Sequence, residues 1–523
     1  MSLSRPLTAT LARLILICSL FASPASAQRG GGRTPVPDVH PARLLSAVQL
    51  QELDRYILKA MEAWGIPGVA VAIVQGDSVV TAKGFGVKEL GKPDRVDAHT
   101  LFAIGSNTKT TTASLIAMLV DEGKMHWDDP VWKYLPNFRV ADPYVSREAT
   151  IRDLLSHRTD LENDNAVWYG STLTRAQLID KLRFLKQESG FRSRYSYNNL
   201  MMMVAGEAAA AAAGTTWENL IQQRIFTPLG MRSSVTSSRM LSAESNVAAP
   251  HMMFRGQRIS IPHRDASIVA PAGSVYSSAA DLAQYLRMHL GNGVYKGKRL
   301  ISESSEAQMR ALVSPTGNGP TFRTDTTDSF LGYGLGWYLD DFRGHPVVGH
   351  IGAIDGMLSE MRMLPNEQVG VVVLTNYQPH SMHPALVHHI FDVVLGLPQR
   401  SWDARLRGGE APVVAMAAEA ARPATPSVWL PLDKYAGTYS DSLNGDVKVS
   451  LQDGKLVLAY HPGLTAVLEP WQFNTFLVDW QQASLYSAGR LLATFSVGSD
   501  GRPTELNVTM LGAFRATDGA VRR

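Results

Sequence analysis

Strand-like runs stand at both ends of a long helical stretch, and this arrangement restricts the fold more than any other feature of the chain. Residues 69–74 and 79–82 are apolar runs separated by the hairpin signal Gly76-Asp77. Strand patterns return at residues 345–349, 358–364 and 369–375, whereas the segment from about Ser106 to Gly214 is mainly helical in periodicity. If the early and late strands share one sheet, the helical middle is an insertion packed against it. The fold class expected is therefore α+β, an antiparallel sheet flanked by helices plus a mainly helical subdomain. Ahead of the sheet, residues 48–64 have helical spacing that Gly65 and Pro67 terminate.

A chain of 523 residues exceeds what one hydrophobic core usually supports, which implies two domains. With 45% hydrophobic and 19% charged residues the composition is that of a folded protein. Residues 1–27 read as a secretory signal: Arg5 and Arg13 precede or flank a short apolar run at 14–21, and Ala25-Ser26-Ala27 offers small residues for cleavage. The run is too short for a transmembrane anchor, which needs about 20 apolar residues. A periplasmic or secreted protein with no stable membrane anchor after cleavage is expected. Cleavage leaves a formal charge of +1 and removes Cys18, the sole cysteine, so disulfides and thiol nucleophiles are excluded from the mature chain. Ile17 before that cysteine is too bulky for a lipid-attachment site. No basic stripe suggests nucleic acid.

Residues 28–44 form a flexible lead-in and 45–400 the first domain. Residues 401–428, rich in Ala, Pro and Gly from Arg407 onward, read as a linker, and 429–523 as a smaller β domain. Within it, runs at 447–451 and 456–460 flank Asp453-Gly454, and runs at 493–497 and 506–508 flank Asp500-Gly501. These hairpins suggest a small barrel or sandwich.

The chemistry-bearing residues lie in the first domain. A serine hydroxyl near neutral pH needs a base within hydrogen-bond reach. Ser106 and Lys109, three residues apart at the start of a helical run, would share one face, with the helix N-terminus favouring developing negative charge. By itself the pair is weak, since a chain this long contains about one such match by chance. Tyr197 and Asn199 precede a second apolar helix. A phenol with its pKa lowered by Lys109 would accept the Ser106 proton and return it to the leaving group. His350, Gly352 and Ala353 follow a strand. The glycine would permit close substrate approach, and the amides of Ala353 and Ser106 would form an oxyanion hole.

Ser106-x-x-Lys109, Tyr197-x-Asn199 and His350-x-Gly352, in that order, resemble the three motifs of the class C β-lactamase, penicillin-binding-protein-like and esterase superfamily. Ile104-Gly105 before the serine, Asp121-Glu122-Gly123-Lys124 after it, residues 131–138 and 150–157, Pro271-Ala272-Gly273 and residues 349–356 match too, so the resemblance spans about 45–397. It implies a serine β-lactamase-like fold with Ser106 as nucleophile, Lys109 and Tyr197 sharing acid and base duties, Asn199 contacting substrate and His350 in the third-motif position. The C-terminal part resembles a lipocalin-like β-barrel, through Tyr435-Ala436-Gly437-Thr438-Tyr439 and Leu468-Glu469-Pro470-Trp471. Two departures stand out. His350 replaces the Lys usual in penicillin-hydrolysing members, which weakens the grip on a β-lactam carboxylate. Asp160 replaces a usual Gly, at a turn that Asp tolerates better than most residues if φ is positive.

The function expected is an exported serine hydrolase acting through an acyl-enzyme on ester or on amide and peptide bonds, with a small-molecule, ester or peptide substrate. A class C-like β-lactamase and a non-catalytic peptidoglycan-binding or sensor protein are the alternatives. The chemistry calls for no cofactor and no metal. His380, His383, His388 and His389 lack ligand spacing. The oligomeric state, the loops at 160–173 and 314–331, and the role of the C-terminal domain stay open.

Overall fold

The structure is a computed structural model that describes residues 42–243, 245–316, 331–409, 426–486 and 491–517. The signal, most of the lead-in and the middle of the expected linker lie outside the described residues.

Chain order begins with helix α1 (Ala47–Trp64), started by a Ser46 capping box and ended by Gly65 in the left-handed region at φ 64°. Strands β1 (Gly68–Gln75) and β2 (Ser78–Gly86) follow as a hairpin. Then come α2 (Thr108–Asp121), α3 (Asn199–Ala213) and α4 (Ala279–Leu290). The sheet resumes with β3 (Ser314–Pro315), β4 (Leu331–Tyr333), β5 (Tyr338–Phe342), β6 (His345–Ile354), β7 (Met357–Leu364) and β8 (Val369–Thr375). Among the described residues these strands form one eight-stranded sheet in the order β2-β1-β8-β7-β6-β5-β4-β3. The early hairpin thus joins the late strands through antiparallel pairing of Val69 with Thr375 and onward to Gln75 with Val369.

Alternation explains why β1 and β8 sit inside the sheet, away from its edges. Every residue of both strands is buried, and the side chains divide by parity. Ala70, Ala72, Val74, Val372 and Leu374 enter the core shared with α2, α3 and α4. Val69, Val71, Ile73, Val371 and Val373 enter a second core against α1 and the late helix α5 (Met382–Val394). Helices therefore cover both faces.

β6 runs further than its sequence pattern suggests. The residues read as a strand stopped at Gly349, and His350 was placed at its edge; in the structure, pairing with β5 stops at Gly349 but pairing with β7 continues to Ile354. His350 is consequently mid-strand. The expected linker also begins with structure: α6 (Trp402–Gly409) packs Trp402 into the second core, where its indole N–H donates to Asp392 at 2.7 Å.

The C-terminal strands are β9 (Gly437–Asp441), β10 (Gly445–Gln452), β11 (Lys455–Tyr460), β12 (Thr465–Phe473), β13 (Thr475–Trp480), β14 (Leu491–Val497), β15 (Pro503–Val508) and β16 (Gly512–Ala516). Each pairs antiparallel with the next, and β9 pairs with β16, so the eight close into a barrel with an apolar interior. It sits on the loop of residues 161–173 of the first domain. Tyr460 Oη donates to the Ala166 carbonyl at 2.9 Å, Asn444 Nδ2 to Asp164 Oδ2 at 2.6 Å, and Ala166 belongs to the barrel's own core.

Because Trp402 is fully buried and hydrogen-bonded, α6 is an integral part of the first domain. Trp402→Ala is expected to cost about 3–5 kcal/mol in urea unfolding, far more than a substitution in a tether would.

Candidate active site

Ser106 lies in a 3-10 turn, Gly105–Asn107, that runs directly into α2. This turn abuts β6 backbone to backbone. A Cβ on Gly105, whose φ is +49°, would fall 2.7 Å from Ala353 N, and one on Gly352 would fall 1.9 Å from the Ile104 carbonyl. Two glycines therefore let strand and turn touch. The space Gly352 leaves is filled by the turn bearing Ser106, which corrects the expectation that it admits substrate. Ser359 on β7 completes the joint, donating to the Ile104 carbonyl at 2.7 Å and accepting from Asn107 Nδ2 at 2.7 Å. The contact sets the amide of the exposed Ala353 beside the Ser106 turn.

Lys109, at the start of α2 and one turn beyond Ser106, is fully buried. Its Nζ lies 2.9 Å from Ser106 Oγ, 2.8 Å from Asn199 Oδ1 and 2.8 Å from the Ala272 carbonyl. Burial pushes the amine well below its ordinary pKa. In its deprotonated form the amine has two N–H groups and one lone pair. Asn199 Oδ1 and the Ala272 carbonyl can only accept, so they take the two hydrogens and the lone pair is left for the Ser106 hydroxyl. Ala272 is held in place from α2 itself, since Thr112 Oγ1 donates to the Pro271 carbonyl at 2.8 Å and Thr108 Oγ1 accepts from Val275 N at 3.2 Å.

Tyr197 Oη donates to Ser106 Oγ at 2.6 Å. Its phenol is pushed well above the ordinary value by burial, with Tyr338 adding to the shift and the Ser106 hydrogen bond opposing it. The expected phenol with lowered pKa is thus corrected. The ring is half-buried, Lys109 Nζ lies 4.7 Å from its centroid, and the group whose pKa the surroundings lower is the Lys109 amine. The neighbouring asparagines divide the local work. Asn198 caps α3, accepting from Met201 N at 3.0 Å, which releases Asn199 to bridge Lys109 and Asn165 Oδ1, the latter at 3.0 Å.

His350 is buried within an aromatic cluster. Nδ1 is 2.7 Å from the Ile351 carbonyl and must donate there, so Nε2 accepts from Tyr333 Oη at 2.9 Å. Burial, with Lys109 adding, lowers its pKa to about 3. The imidazole is neutral at physiological pH, with both nitrogens engaged by the protein. His157 is likewise buried, ring to ring with Tyr197 at 4.5 Å, and accepts from Asn198 N at 3.2 Å.

All the candidate residues, Ser106, Lys109, Tyr197, Asn199, His350, Gly352 and Ala353, converge here. Sequence reasoning missed Asn165 and Tyr333, whose partners are fixed only in space. It quoted Ala272 in a flanking match without assigning its carbonyl a task. The four histidines of the late cluster do other things. His383 pairs with Glu360 at 2.7 Å, His380 with Thr375 at 3.0 Å, His389 stacks on Tyr56 at 3.6 Å, and His388 lies against Trp402.

Asp160 sits at φ 55° and is buried. Its Oδ2 accepts from Ser189 N at 2.7 Å, Ser189 Oγ at 2.6 Å and Gly190 N at 2.5 Å, while Oδ1 accepts from Arg194 at 2.5 Å. The carboxylate thereby holds residues 189–194, the approach to Tyr197.

A Beta-lactamase family model matches residues 53–395, and a model for a domain of unknown function (DUF3471) matches 421–519. The unguisins hydrolase of Aspergillus violaceofuscus is 29% identical over 445 residues, covering 77% of each chain. Penicillin-binding protein 4 of Amycolatopsis lactamdurans is 32% identical over 317 residues, 60% of this chain and 81% of its own. Among solved structures, the octameric penicillin-binding protein homologue from Pyrococcus abyssi aligns with a TM-score of 0.58 at 20% identity, over 88% of this chain and 98% of that one. The D-stereospecific amidohydrolase from Streptomyces sp. aligns at 0.52 and 23% identity, over 62% and 94%. At these identities the two structures are likenesses of fold.

Asp160→Gly keeps the positive φ but strips residues 189–194 of their acceptor. It is expected to cost about 2 kcal/mol of stability in urea unfolding, chiefly through the unpaired backbone amides, because half-exposed Arg194 contributes little.

Proposed function

The chain belongs to the Beta-lactamase family, a serine hydrolase family of the β-lactamase and penicillin-binding-protein type, and from that membership we propose that it is an exported hydrolase cleaving ester or amide bonds through an acyl-Ser106 intermediate. The observation that carries the reading is the proton circuit at Ser106 Oγ, which faces a desolvated amine at 2.9 Å and a protonated phenol at 2.6 Å.

Ser106 Oγ attacks the substrate carbonyl carbon while its proton passes to Lys109 Nζ. Negative charge moves to the carbonyl oxygen, where the amides of Ser106 and Ala353 receive it. Collapse breaks the bond to the leaving alkoxide or amine, which takes a proton from Tyr197 Oη as Lys109 restores the phenol. Water then attacks the acyl carbon, the same circuit removes its proton, and Ser106 is released with the carboxylic acid. Asn199 holds Lys109 in register and presents its side chain at the pocket mouth as a substrate contact. The charge that protonation places on Lys109 lasts only through the intermediate, so a buried amine suits it as a base.

His350 favours esters and peptides over β-lactams. A neutral imidazole bonded to Ile351 and Tyr333 offers no cation to a β-lactam carboxylate. The signal pattern of residues 1–27 supports export, to the periplasm or outside the cell. Hydrolase relatives of this kind, such as the unguisins hydrolase, fit the reading.

Intact-mass measurement with an activated short-chain ester, a D-alanyl peptide and a penicillin tests it. A transient adduct from the ester or peptide, absent in Ser106→Ala, is expected. A fast-clearing penicillin adduct would instead make the protein a β-lactamase, and no adduct with any donor would make it a binding or sensor protein. The pH profile supplies a separate check. Lys109 accepts a proton only while neutral, so kcat/KM is expected to fall as pH drops through its lowered pKa. The raised Tyr197 phenol keeps its proton, so the plateau should extend beyond the pH at which an ordinary phenol ionises.

A further inference from the structure

Beside Ser106 a cavity of about 300 Å³ opens between the two domains, and its walls come from both. Asn199 and Ala353 form the end nearest the nucleophile. Trp168 and Tyr169 come from the loop that carries the barrel, while Leu464, Trp480, Leu485 and Leu491 come from the barrel. The carboxylate among the described lining residues, Asp355, is answered within the protein: Tyr169 Oη donates to it at 2.6 Å and Arg264 Nε at 2.8 Å. Arg264 in turn lies 4.0 Å over the Tyr169 ring and 3.4 Å from Ser484 Oγ of the C-terminal domain. The cavity thus has neutral, mostly apolar walls, with its ionic groups paired in a clasp across the domain junction. Trp480 adds a buried indole N–H that has no acceptor among the described residues.

We propose that this two-domain cavity is the specificity pocket of the hydrolase, and that it selects substrates carrying an uncharged, apolar substituent next to the scissile bond. The inference rests on the acyl-Ser106 reading and assigns the C-terminal domain a part in substrate choice. Its physical basis is differential burial. Apolar groups gain by leaving water for a wall of Trp, Tyr and Leu side chains, whereas a charged group there loses its hydration and meets Asp355. A cavity of this size takes a substituent rather than a whole peptide, so the rest of the substrate stays outside the junction.

The test uses the full chain and two ester series, p-nitrophenyl esters with acyl chains of two to eight carbons and acetates of alcohols of matched length. In at least one series kcat/KM is expected to rise about fourfold for each methylene that enters the pocket. An acyl chain ending in carboxylate should react at least about tenfold more slowly than its methyl-ended counterpart of equal length. Leu485→Ala combined with Met510→Ala trims the barrel wall at a half-buried and an exposed position, so the fold should survive. That variant should keep wild-type turnover of the two-carbon ester while losing about tenfold with the eight-carbon substrate. Flat profiles in both wild-type series, or an unchanged profile in the variant, would overturn the pocket assignment while leaving Ser106 chemistry intact. Loss of all Ser106-dependent turnover would instead bring down the hydrolase reading, and the pocket assignment with it. Thermal melting of the variant checks its fold, and if it melts early, Trp480→Phe is measured in its place against the same series.

Discussion

Everything at the site depends on the contact of two backbones. The turn bearing Ser106 and the third-motif strand approach so closely that Gly105 and Gly352 have no room for a side chain. The strand is rigid because it is paired inside an eight-stranded sheet, and the turn is rigid because it continues into α2. Their contact therefore fixes the position of Ala353 relative to Ser106 without any flexible side chain in between. Such main-chain placement suits electrostatic catalysis, which gains most when dipoles need not reorganise.

The second requirement is a dry amine. A buried lysine costs several kcal/mol when charged, and burial accordingly shifts Lys109 toward the neutral amine. Two acceptors, from Asn199 and Ala272, match its two hydrogens. Nearby imidazoles at His157 and His350 are neutral as well, so no second cation competes in the same apolar volume. Tyr197 gives the complementary case. Burial that lowers a lysine raises a phenol, and a single environment yields one group ready to accept a proton and one ready to donate it.

Much of this was legible in the sequence, in proportion to how local the signal was. Strand-like runs at both ends of the helical stretch raised the expectation of one shared sheet, and the pairing of Val69 with Thr375 is its realisation. Ser106 and Lys109 lie one helical turn apart, so spacing alone put them on one face. Asn165 and Tyr333 escaped notice because nothing near them in sequence names their partners, Asn199 and His350. The direction of the Tyr197 shift was misread because proximity to Lys109 was weighed without burial, and burial dominates. Asp160 was recognised as a departure from a glycine pattern. Its use, as acceptor for Ser189 and Gly190, became visible only with the loop in place.

The pairing of β1 with β8 also sets a schedule. β1 cannot acquire its β8 neighbour until about 300 further residues have been made, which at ordinary synthesis rates takes roughly 15–60 s. During that interval the hairpin of β1 and β2 is a short ribbon in which the largely apolar β1 has one unpaired edge, a form prone to aggregation. The contacts that cover this edge are long-range along the chain, the kind whose loop-closure entropy slows folding. The C-terminal barrel obeys the opposite rule: apart from its closing strand, each strand pairs with the next. The cavity takes its walls from both parts, so it cannot exist before the last barrel strands have been made.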